Sequence, residues 1–170
     1  GTTVANSALL ELAPTVTSLV LAGKVGSAIA SQLGTMRVTE QIDALEVIGV
    51  NSATYLILPK ITAAMIMFPL LIFIAAFLEV SGGLLAGHLT GECSIRDFTA
   101  GAQEFFEPFY VSFKTIKAFT FGFIISSIAS YQGYFTDGGA QEVGVSSTRA
   151  VGYSCIVILL MDYVLAQIMI

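Results

Sequence analysis

Three long stretches of this sequence carry almost no charge, and this feature constrains the fold more than any other. Ile61–Leu78 contains 18 residues without a charge, Ala118–Thr136 contains 19, and Ala150–Ile170 is interrupted only by Asp162. Eighteen helical residues span about 27 Å, close to the thickness of a bilayer's hydrocarbon core. No stretch shows the two-residue alternation of a barrel strand. We therefore expect membrane helices.

The composition excludes several classes of protein. The chain of 170 residues is 55% hydrophobic and 11% charged, whereas soluble domains have about 25% charged residues. Seven basic against twelve acidic side chains leave no basic stripe for nucleic acid. Cys93 and Cys155 are too few and too far apart for a disulfide framework or a zinc site. A soluble enzyme and a nucleic-acid binder are therefore poor interpretations.

A first membrane helix is predicted over Leu12–Met36, where Lys24 is the one charge. Small residues recur along it at helical spacing, which lets neighbouring backbones approach closely in lipid. The alternative is that such residues are merely common in membrane helices. The predicted packing residues are Gly23, Gly26, Ala30 and Gly34, with Ser27 beside Gly23.

The segment Thr35–Lys60 has a different pattern. Its apolar residues form one stripe with acidic residues on the other faces, which predicts a short amphipathic helix outside the bilayer core. We expect its polar face to contact another protein, because a helix lying on headgroups usually has a basic face. The stripe is Val38, Ile42, Leu45 and Ile48, the acids are Glu40, Asp43 and Glu46, Gly49 ends the helix, and Asn51 and Pro59 form the following loop.

Two further loops complete the predicted topology. Glu92–Phe113 is polar and aromatic and predicts a loop with a short surface helix, and Gln132–Arg149 is a glycine-rich loop. Four spans place both ends of this sequence on the same side. The positive-inside rule weakly favours a cytoplasmic location for Thr35–Lys60, because four basic residues lie toward that side of the membrane and three lie toward the opposite side. The four are Lys24, Arg37, Lys60 and Arg149, and the three are Arg96, Lys114 and Lys117.

Motifs for chemistry are mostly absent. Gly23-Lys24 lacks the preceding glycine and following Ser/Thr of an ATP-binding loop. His88 is the only histidine, which excludes a two-histidine metal site. An intramembrane protease would need Ser27 or Ser81 poised against His88, a weak alternative. We expect no catalytic residues, no metal and no cofactor in this chain.

Ionisable residues at membrane depth are costly and usually functional. Lys117 lies 15 residues before Gln132 and Asp162 lies 12 residues after Ala150, which puts them roughly 23 and 18 Å above the inner ends of their helices. Glu11 lies at the outer end of the first helix. We therefore expect Lys117 to pair with Asp162 or Glu11, either as a polar station for a lipid headgroup or as a structural ion pair.

Three other basic residues are expected nearer the membrane surfaces. Lys24 is expected to extend its long side chain to a nearby interface, and Lys114 is expected at the interface. Arg149 is predicted to start the last helix, as a headgroup anchor or an interface residue.

Specific motifs resemble one family of transport proteins. They are Glu11-Leu12-Ala13-Pro14, Ala22-Gly23-Lys24-Val25-Gly26-Ser27-Ala28, Leu33-Gly34-Thr35-Met36-Arg37-Val38-Thr39-Glu40-Gln41-Ile42-Asp43-Ala44-Leu45, Ser130-Tyr131-Gln132-Gly133-Tyr134 with Gly138-Gly139-Ala140, and Gly144-Val145-Ser146-Ser147-Thr148-Arg149-Ala150-Val151. The chain resembles the MlaE family over essentially its whole length. These proteins are permease subunits of ABC transporters that move phospholipid. Two positions depart from the family pattern: Leu10 stands where an arginine is common, and Ala13 replaces a glycine.

The resemblance implies an all-α membrane bundle of one domain, residues 1–170, that lacks the family's N-terminal interfacial helix and first membrane helix. It implies a homodimer in a bacterial inner membrane, two ATPase subunits that bind ATP and magnesium, a periplasmic MCE-domain lipid carrier and, in some systems, a STAS-domain regulator. It assigns residues 36–49 as the coupling helix that meets the ATPase, with Arg37, Glu40, Gln41, Asp43, Leu45 and Glu46. The first and last helices would line a lipid cavity, where we place Glu11, Lys117, Arg149 and Asp162. An intramembrane lipid-modifying or proteolytic enzyme and a structural assembly subunit are the alternatives.

Overall fold

The computed structural model describes residues 2–91, 94–104 and 107–169, and all regular structure in these ranges is helical. Four of the helices there are long and apolar enough to cross a membrane, so the predicted all-α bundle with four spans is confirmed. Glu92 and Cys93, which begin the predicted polar loop, lie outside the described residues. The helices are α1 (Thr2–Val38), α2 (Gln41–Val47), α3 (Ala53–Leu89), α4 (Ile95–Glu104), α5 (Pro108–Tyr134) and α6 (Ala140–Met169).

Helix α5 forms the centre of the bundle and packs against α1, α3 and α6. Glycines on α5 allow the close contacts: a Cβ at Gly122 would lie 3.2 Å from the Ala64 carbonyl oxygen, and one at Gly133 would lie 2.6 Å from the Ala30 carbonyl oxygen. The helix buries polar as well as apolar side chains, including Lys114 and Lys117. Its position therefore brings two lysines into the interior of the bundle.

The outer surfaces of the long helices are apolar. Helix α3 exposes Ile66 at 63%, Ile74 at 57% and Phe77 at 73%. In a helix that crosses a bilayer such side chains meet lipid or a partner helix rather than water.

Helix α1 is not a regular α-helix along its whole length. It contains π-helical turns at Ala8–Val16, around Pro14, and at Ala22–Gly26. Its 37 residues would span roughly 56 Å as a straight α-helix, so it extends beyond a hydrocarbon core of about 30 Å. Irregular turns of this kind are often found at functional sites.

The predicted coupling helix is shorter than expected. Helix α1 continues to Val38, the chain turns at Glu40 with φ of +61°, and α2 covers Gln41–Val47. The prediction of one helix over residues 36–49 is therefore wrong at its start, because the left-handed residue breaks the helical path. Gly49, with φ of +85°, follows the end of α2 as predicted.

Helix α6 begins earlier than the sequence suggested. The predicted loop Gln132–Arg149 is only residues 135–139, and Arg149 lies nine residues after the first residue of α6 rather than at its start. The polar segment is helical because one side of it is buried: Thr136 Oγ1 donates to Ser146 Oγ at 2.9 Å, and Val143 is 8% exposed.

One expectation about α3 is also wrong. Pro59 lies inside α3, just after the π-helical turn Ala53–Ile57, instead of in a loop. It is tolerated there because it is in the first turn of the regular α-helical segment. On α5, Lys114 is 3% exposed, since it lies on the side that packs into the bundle, and its place at the membrane interface stays a prediction.

Candidate functional site

Lys117 forms ion pairs with carboxylates from two other helices. Its Nζ lies 2.9 Å from Glu11 Oε1 on α1 and 2.7 Å from Asp162 Oδ1 on α6. The pairing predicted from the depths of these residues is therefore confirmed. We call Glu11, Lys117 and Asp162 the charge cluster; it joins α1, α5 and α6 at one point.

A backbone carbonyl that the sequence analysis missed also binds Lys117. Lys117 Nζ donates to the Leu10 carbonyl oxygen at 3.2 Å. Leu10 lies in the π-helical turn Ala8–Val16 of α1, which also contains Pro14. This contact had no signal in the sequence, because it depends on the irregular turn and on how α1 and α5 pack.

Two more residues complete the surroundings of the cluster. Thr15 Oγ1 donates to Asp162 Oδ1 at 2.9 Å, and the Phe113 ring centroid lies 4.5 Å from Lys117 Nζ. The threonine fixes the aspartate from α1, and the ring gives the ammonium a further favourable electrostatic contact. Neither contact had a signal in the sequence, because both depend on how the helices are rotated.

Burial differs strongly among the three charged side chains. The side chain of Lys117 is fully buried, that of Asp162 is 18% exposed and that of Glu11 is 48% exposed. One formal positive charge faces two formal negative charges, so the cluster carries a surplus carboxylate. Glu11 is the accessible member, and an incoming anion could replace it at Lys117 while Asp162 stays in place.

Arg149 and Lys24 do not join this cluster. Both are exposed, and neither forms an ion pair within the described part of the chain. Arg149 lies 13 residues before Asp162 on α6, roughly 20 Å along the axis. The structure thus brings together three of the four residues assigned to the lipid cavity.

The predicted ATPase-contact residues cluster around α2. Arg37 Nη1 lies 3.1 Å from Asp43 Oδ1 across the turn, with both side chains partly exposed. Glu40 is exposed in the turn itself. An ion pair at the surface contributes about 0–1 kcal/mol to the stability of the fold. Because the Arg37–Asp43 pair is this weak, Asp43 can exchange it for a contact with another protein.

Glu46 is engaged within the chain. Its Oε1 accepts hydrogen bonds from Ser52 Oγ at 2.8 Å and from Tyr134 OH at 3.2 Å. The Ser52 and Tyr134 hydroxyl oxygens also lie 2.7 Å apart. Glu46 therefore links α2 to α5 within the chain, and its contact with an ATPase stays a prediction.

The apolar side of α2 is only partly covered. A cavity of about 390 Å³ lies between α2 and the neighbouring helices, lined by residues that include Gln41, Leu45 and Tyr55. Ile42 is fully buried, whereas Ile48 is 72% exposed. Of the predicted apolar stripe, Ile42 packs α2 against the bundle, whereas Ile48, just after the C-terminal end of α2, is left exposed within this chain.

The predicted small-residue packing is present within the chain for three of its four residues. Gly26, Ala30 and Gly34 are buried. Ala30 faces Gly133, and a Cβ at Gly34 would lie 3.1 Å from Thr136 Oγ1. Gly23 is exposed, and a Cβ added there would meet no atom of another part of the chain within 4 Å. The sequence analysis missed Gly133, which supplies the opposite side of the closest contact.

The proteolytic alternative finds no support in the described residues. Ser27 Oγ donates to backbone carbonyls of its own helix, and so does Ser81 Oγ; neither bonds to His88. No group of three His, Cys, Asp or Glu side chains that could hold a metal ion occurs in the described part of the chain.

Comparisons with known proteins agree with this architecture. The family described as "Permease MlaE" matches residues 1–168. A probable ABC transporter permease of Rickettsia bellii is 40% identical over 168 residues, which are 99% of this chain and 65% of the relative. A probable ABC transporter permease of Synechocystis is 38% identical over 94% of this chain and 60% of its own length. The chloroplast protein TRIGALACTOSYLDIACYLGLYCEROL 1 of Arabidopsis thaliana is 38% identical over 92% of this chain and 45% of its own length.

The chain thus spans about 65% of the length of the Rickettsia relatives that it matches. The family match covers residues 1–168 and so includes the four described membrane helices, except for the last residue of α6. We conclude that this multi-pass membrane chain belongs to the MlaE family of ABC transporter permeases.

Proposed function

We propose that this permease moves phospholipid between a bacterial inner membrane and a periplasmic MCE-domain lipid carrier. The observation that carries the proposal is the charge cluster, a fully buried lysine held by two carboxylates of which one is half exposed. Charges at this depth are expensive and mark substrate pathways. A lipid phosphate is an anion that has to cross the same depth.

At the cluster, the phosphate would exchange with Glu11. Lys117 is an anion-binding group of fixed position, because the Leu10 carbonyl oxygen and Asp162 hold its ammonium. Glu11 leaves most easily, since its side chain is 48% exposed and its charge is solvated more readily than a buried one. The phosphate then takes the position of a carboxylate at Lys117, and the lipid chains stay in the membrane.

We also propose an assembly, which is supported by membership of an ABC permease family. The permease acts as a homodimer with two ABC ATPase subunits, which bind ATP and magnesium, and a STAS-domain regulator joins them in some systems. Helix α2 meets the ATPase through Glu40, Asp43 and the uncovered apolar residues near Leu45. Helix α5 links the two regions, because it carries both Tyr134, bonded to Glu46 of α2, and Lys117.

The proposed orientation has α2 in the cytoplasm. At the other end of the bundle, Lys114 and Lys117 are buried and so do not count as loop charges in the positive-inside rule. Arg96 then remains there. At the α2 end, Lys24 and Arg149 lie inside membrane helices, so the same criterion leaves Arg37 near the end of α1 and Lys60 near the start of α3. The remaining balance is two basic residues at the α2 end against one at the other end.

A lipid substrate has one further support. The name of the Arabidopsis relative contains that of a glycerolipid, and that protein shares 38% identity with this chain. That name supports a glycerolipid substrate in general. Its galactosyl headgroup has no phosphate, so the assignment of the phosphate to Lys117 rests on the charge cluster alone.

The test is transport by the reconstituted complex. The full-length permease and its ATPase are placed in liposomes with an MCE-domain acceptor, and the transfer of a fluorescent phospholipid is followed with ATP and with ADP. We expect ATP-dependent transfer of the phospholipid and little transfer of a diacylglycerol with the same chains, because it has no phosphate for Lys117. Equal transfer of both lipids would contradict the role of Lys117, and ATP hydrolysis without lipid transfer would contradict the function.

A further inference from the structure

A lysine near the start of α3 has no carboxylate partner among the described residues. Lys60 directly precedes the charge-free stretch Ile61–Leu78, so it lies where the hydrocarbon core of a bilayer begins. Its Nζ donates to Gln32 Oε1 of α1, and the ion pairs of the described part of the chain do not include it. An ammonium has three donors, and a neutral amide does not balance its charge. The position is therefore suited to an anion from outside these residues.

An apolar groove between α1 and α3 begins at this lysine. Its volume is about 270 Å³, and its lining includes Val25 and Ile29 of α1 and Met67 and Leu71 of α3. Lys60 is the one charged side chain among the described residues that line it. Leu71 lies eleven residues after Lys60, roughly 17 Å farther along the helix. The groove thus extends from headgroup depth into the hydrocarbon core.

The groove has a packed floor and an open side. Phe68 and Ile29 are buried, whereas Met67 is 51% exposed and Leu71 is 37% exposed. Ala63, which also lines the groove, is exposed as well. The volume is just below the usual range of ligand pockets, about 300–1,000 Å³, so it suits one acyl chain rather than a whole lipid. The open side lets the rest of the lipid stay in the membrane.

The charge of Lys60 decides between a lipid and a protein helix as the occupant. The apolar wall gives little preference, since lipid chains already surround it in a membrane. A phospholipid with one chain in the groove has its phosphate at the depth of Lys60, whereas a helix would have to supply a carboxylate at the same point. The described lining contains no carboxylate that could bind an amine, so the groove favours a headgroup with a net negative charge.

We propose that this groove binds one anionic phospholipid of the membrane leaflet at the α2 end. Lys60 binds the phosphate, Gln32 holds the lysine side chain beside the groove, and an acyl chain lies against Met67 and Leu71. The site is separate from the charge cluster, because Glu11 lies 21 residues before Gln32 on α1, roughly 32 Å away along the helix axis. It requires no transport and does not depend on the proposed function.

Site-specific photocrosslinking tests the groove. The full-length permease in its complex carries a photoreactive amino acid at Met67, in nanodiscs of equal parts phosphatidylglycerol and phosphatidylethanolamine, and mass spectrometry identifies the cross-linked lipid. We expect phosphatidylglycerol to be enriched about fivefold, the effect of one lysine on an anionic lipid at a membrane surface. The same amino acid at Ile74, which is exposed on α3 outside the groove, should cross-link both lipids in proportion to the nanodisc.

Substitutions of the lysine separate its charge from its bulk. Lys60→Met should abolish the enrichment at Met67, because the only cation of the described lining is lost. Lys60→Arg keeps the charge and should keep the enrichment. Lys24→Met, at an exposed lysine outside the groove, should change nothing.

A further variant keeps the proposal testable if Lys60→Met fails to fold. Ala63→Leu fills the groove and leaves Lys60 intact, so it should also abolish the enrichment, whereas Ala86→Leu, at an exposed alanine near the other end of α3, should not. Cross-links at Met67 in proportion to the nanodisc lipids, or an unchanged enrichment in Lys60→Met or Ala63→Leu, would overturn the proposal. Cross-links from Met67 to a protein helix instead of lipid would overturn it as well.

Discussion

Replacing Lys117 with methionine tests whether the charge cluster is functional or only structural. Lys117→Met keeps most of the side-chain volume and removes the one positive charge, which leaves Asp162 and Glu11 facing each other. Removing one partner of a buried pair costs about 3–5 kcal/mol. We expect the lower part of that range, because the Glu11 side chain is 48% exposed and water relieves part of its charge.

A loss of about 3 kcal/mol corresponds to a fall of roughly 6–12 °C in Tm for a protein of this size. The Tm is measured by size-exclusion chromatography of heated, detergent-solubilised complex. Lys24→Met is the matched control: it makes the same chemical change at an exposed lysine that has no ion pair among the described residues, and surface substitutions usually stay within about 0.5 kcal/mol.

The decisive variant combines Lys117→Met with Glu11→Gln and Asp162→Asn. It leaves no unpaired charge in the cluster, so its Tm should return to within a few degrees of the unsubstituted complex. Phospholipid transfer should remain lost, because no cation is left there to receive a phosphate. If this triple variant transports phospholipid at the normal rate, the cluster only holds the helices in register and our reasoning is refuted.

Three other predictions concern packing and coupling. Gly133→Ala should lower the free energy of unfolding by about 1–3 kcal/mol, since its Cβ would lie 2.6 Å from the Ala30 carbonyl oxygen. Gly144→Ala is the control: its Cβ would meet no atom of another part of the chain within 4 Å, so it should stabilise its helix by up to about 1 kcal/mol. An equal Tm for both variants would contradict the packing described. The double variant Glu40→Lys, Asp43→Lys should abolish co-purification of the ATPase but not membrane insertion, because charges at the rim of an interface steer the partner. Glu107→Lys, just before α5 at the opposite end of the bundle, is the control. Normal co-purification of the ATPase with the double variant would reject α2 as the docking site. Tyr134→Phe removes the hydroxyl that donates to Glu46. It should lower the number of lipids transported per ATP hydrolysed without loss of ATPase binding. An unchanged number of lipids per ATP would argue against coupling through α5.

The sequence was sufficient for the membrane helices and for the ion pair. Charge-free stretches report burial in lipid directly. Counting residues from Gln132 and Ala150 placed Lys117 and Asp162 at similar depth, although α6 begins ten residues before Ala150. Depth is set by the fixed rise of a helix, which needs no knowledge of how the helices are rotated. For the same reason the burial of Lys114 was missed, because hydropathy does not tell which side of α5 faces the bundle.

Helix ends were the least predictable feature. The polar residues before Ala150 suggested a loop, yet they form the first turns of α6, since Ser146 bonds to Thr136 and Val143 packs near Gly34. The break at Glu40 was missed because a positive φ at a glutamate has no strong sequence signal. The contact of the Leu10 carbonyl oxygen with Lys117 and the bond of Thr15 to Asp162 both required the packed structure.

A structure of the full transporter in lipid nanodiscs during ATP turnover tests the central claim most directly. The account predicts a class of particles in which a lipid phosphate lies within about 4 Å of Lys117 Nζ, an ion-pair distance, and Glu11 has moved away from the lysine while Asp162 remains. Particles in which Lys117 keeps both carboxylates in every state, with lipid passing elsewhere, would contradict it.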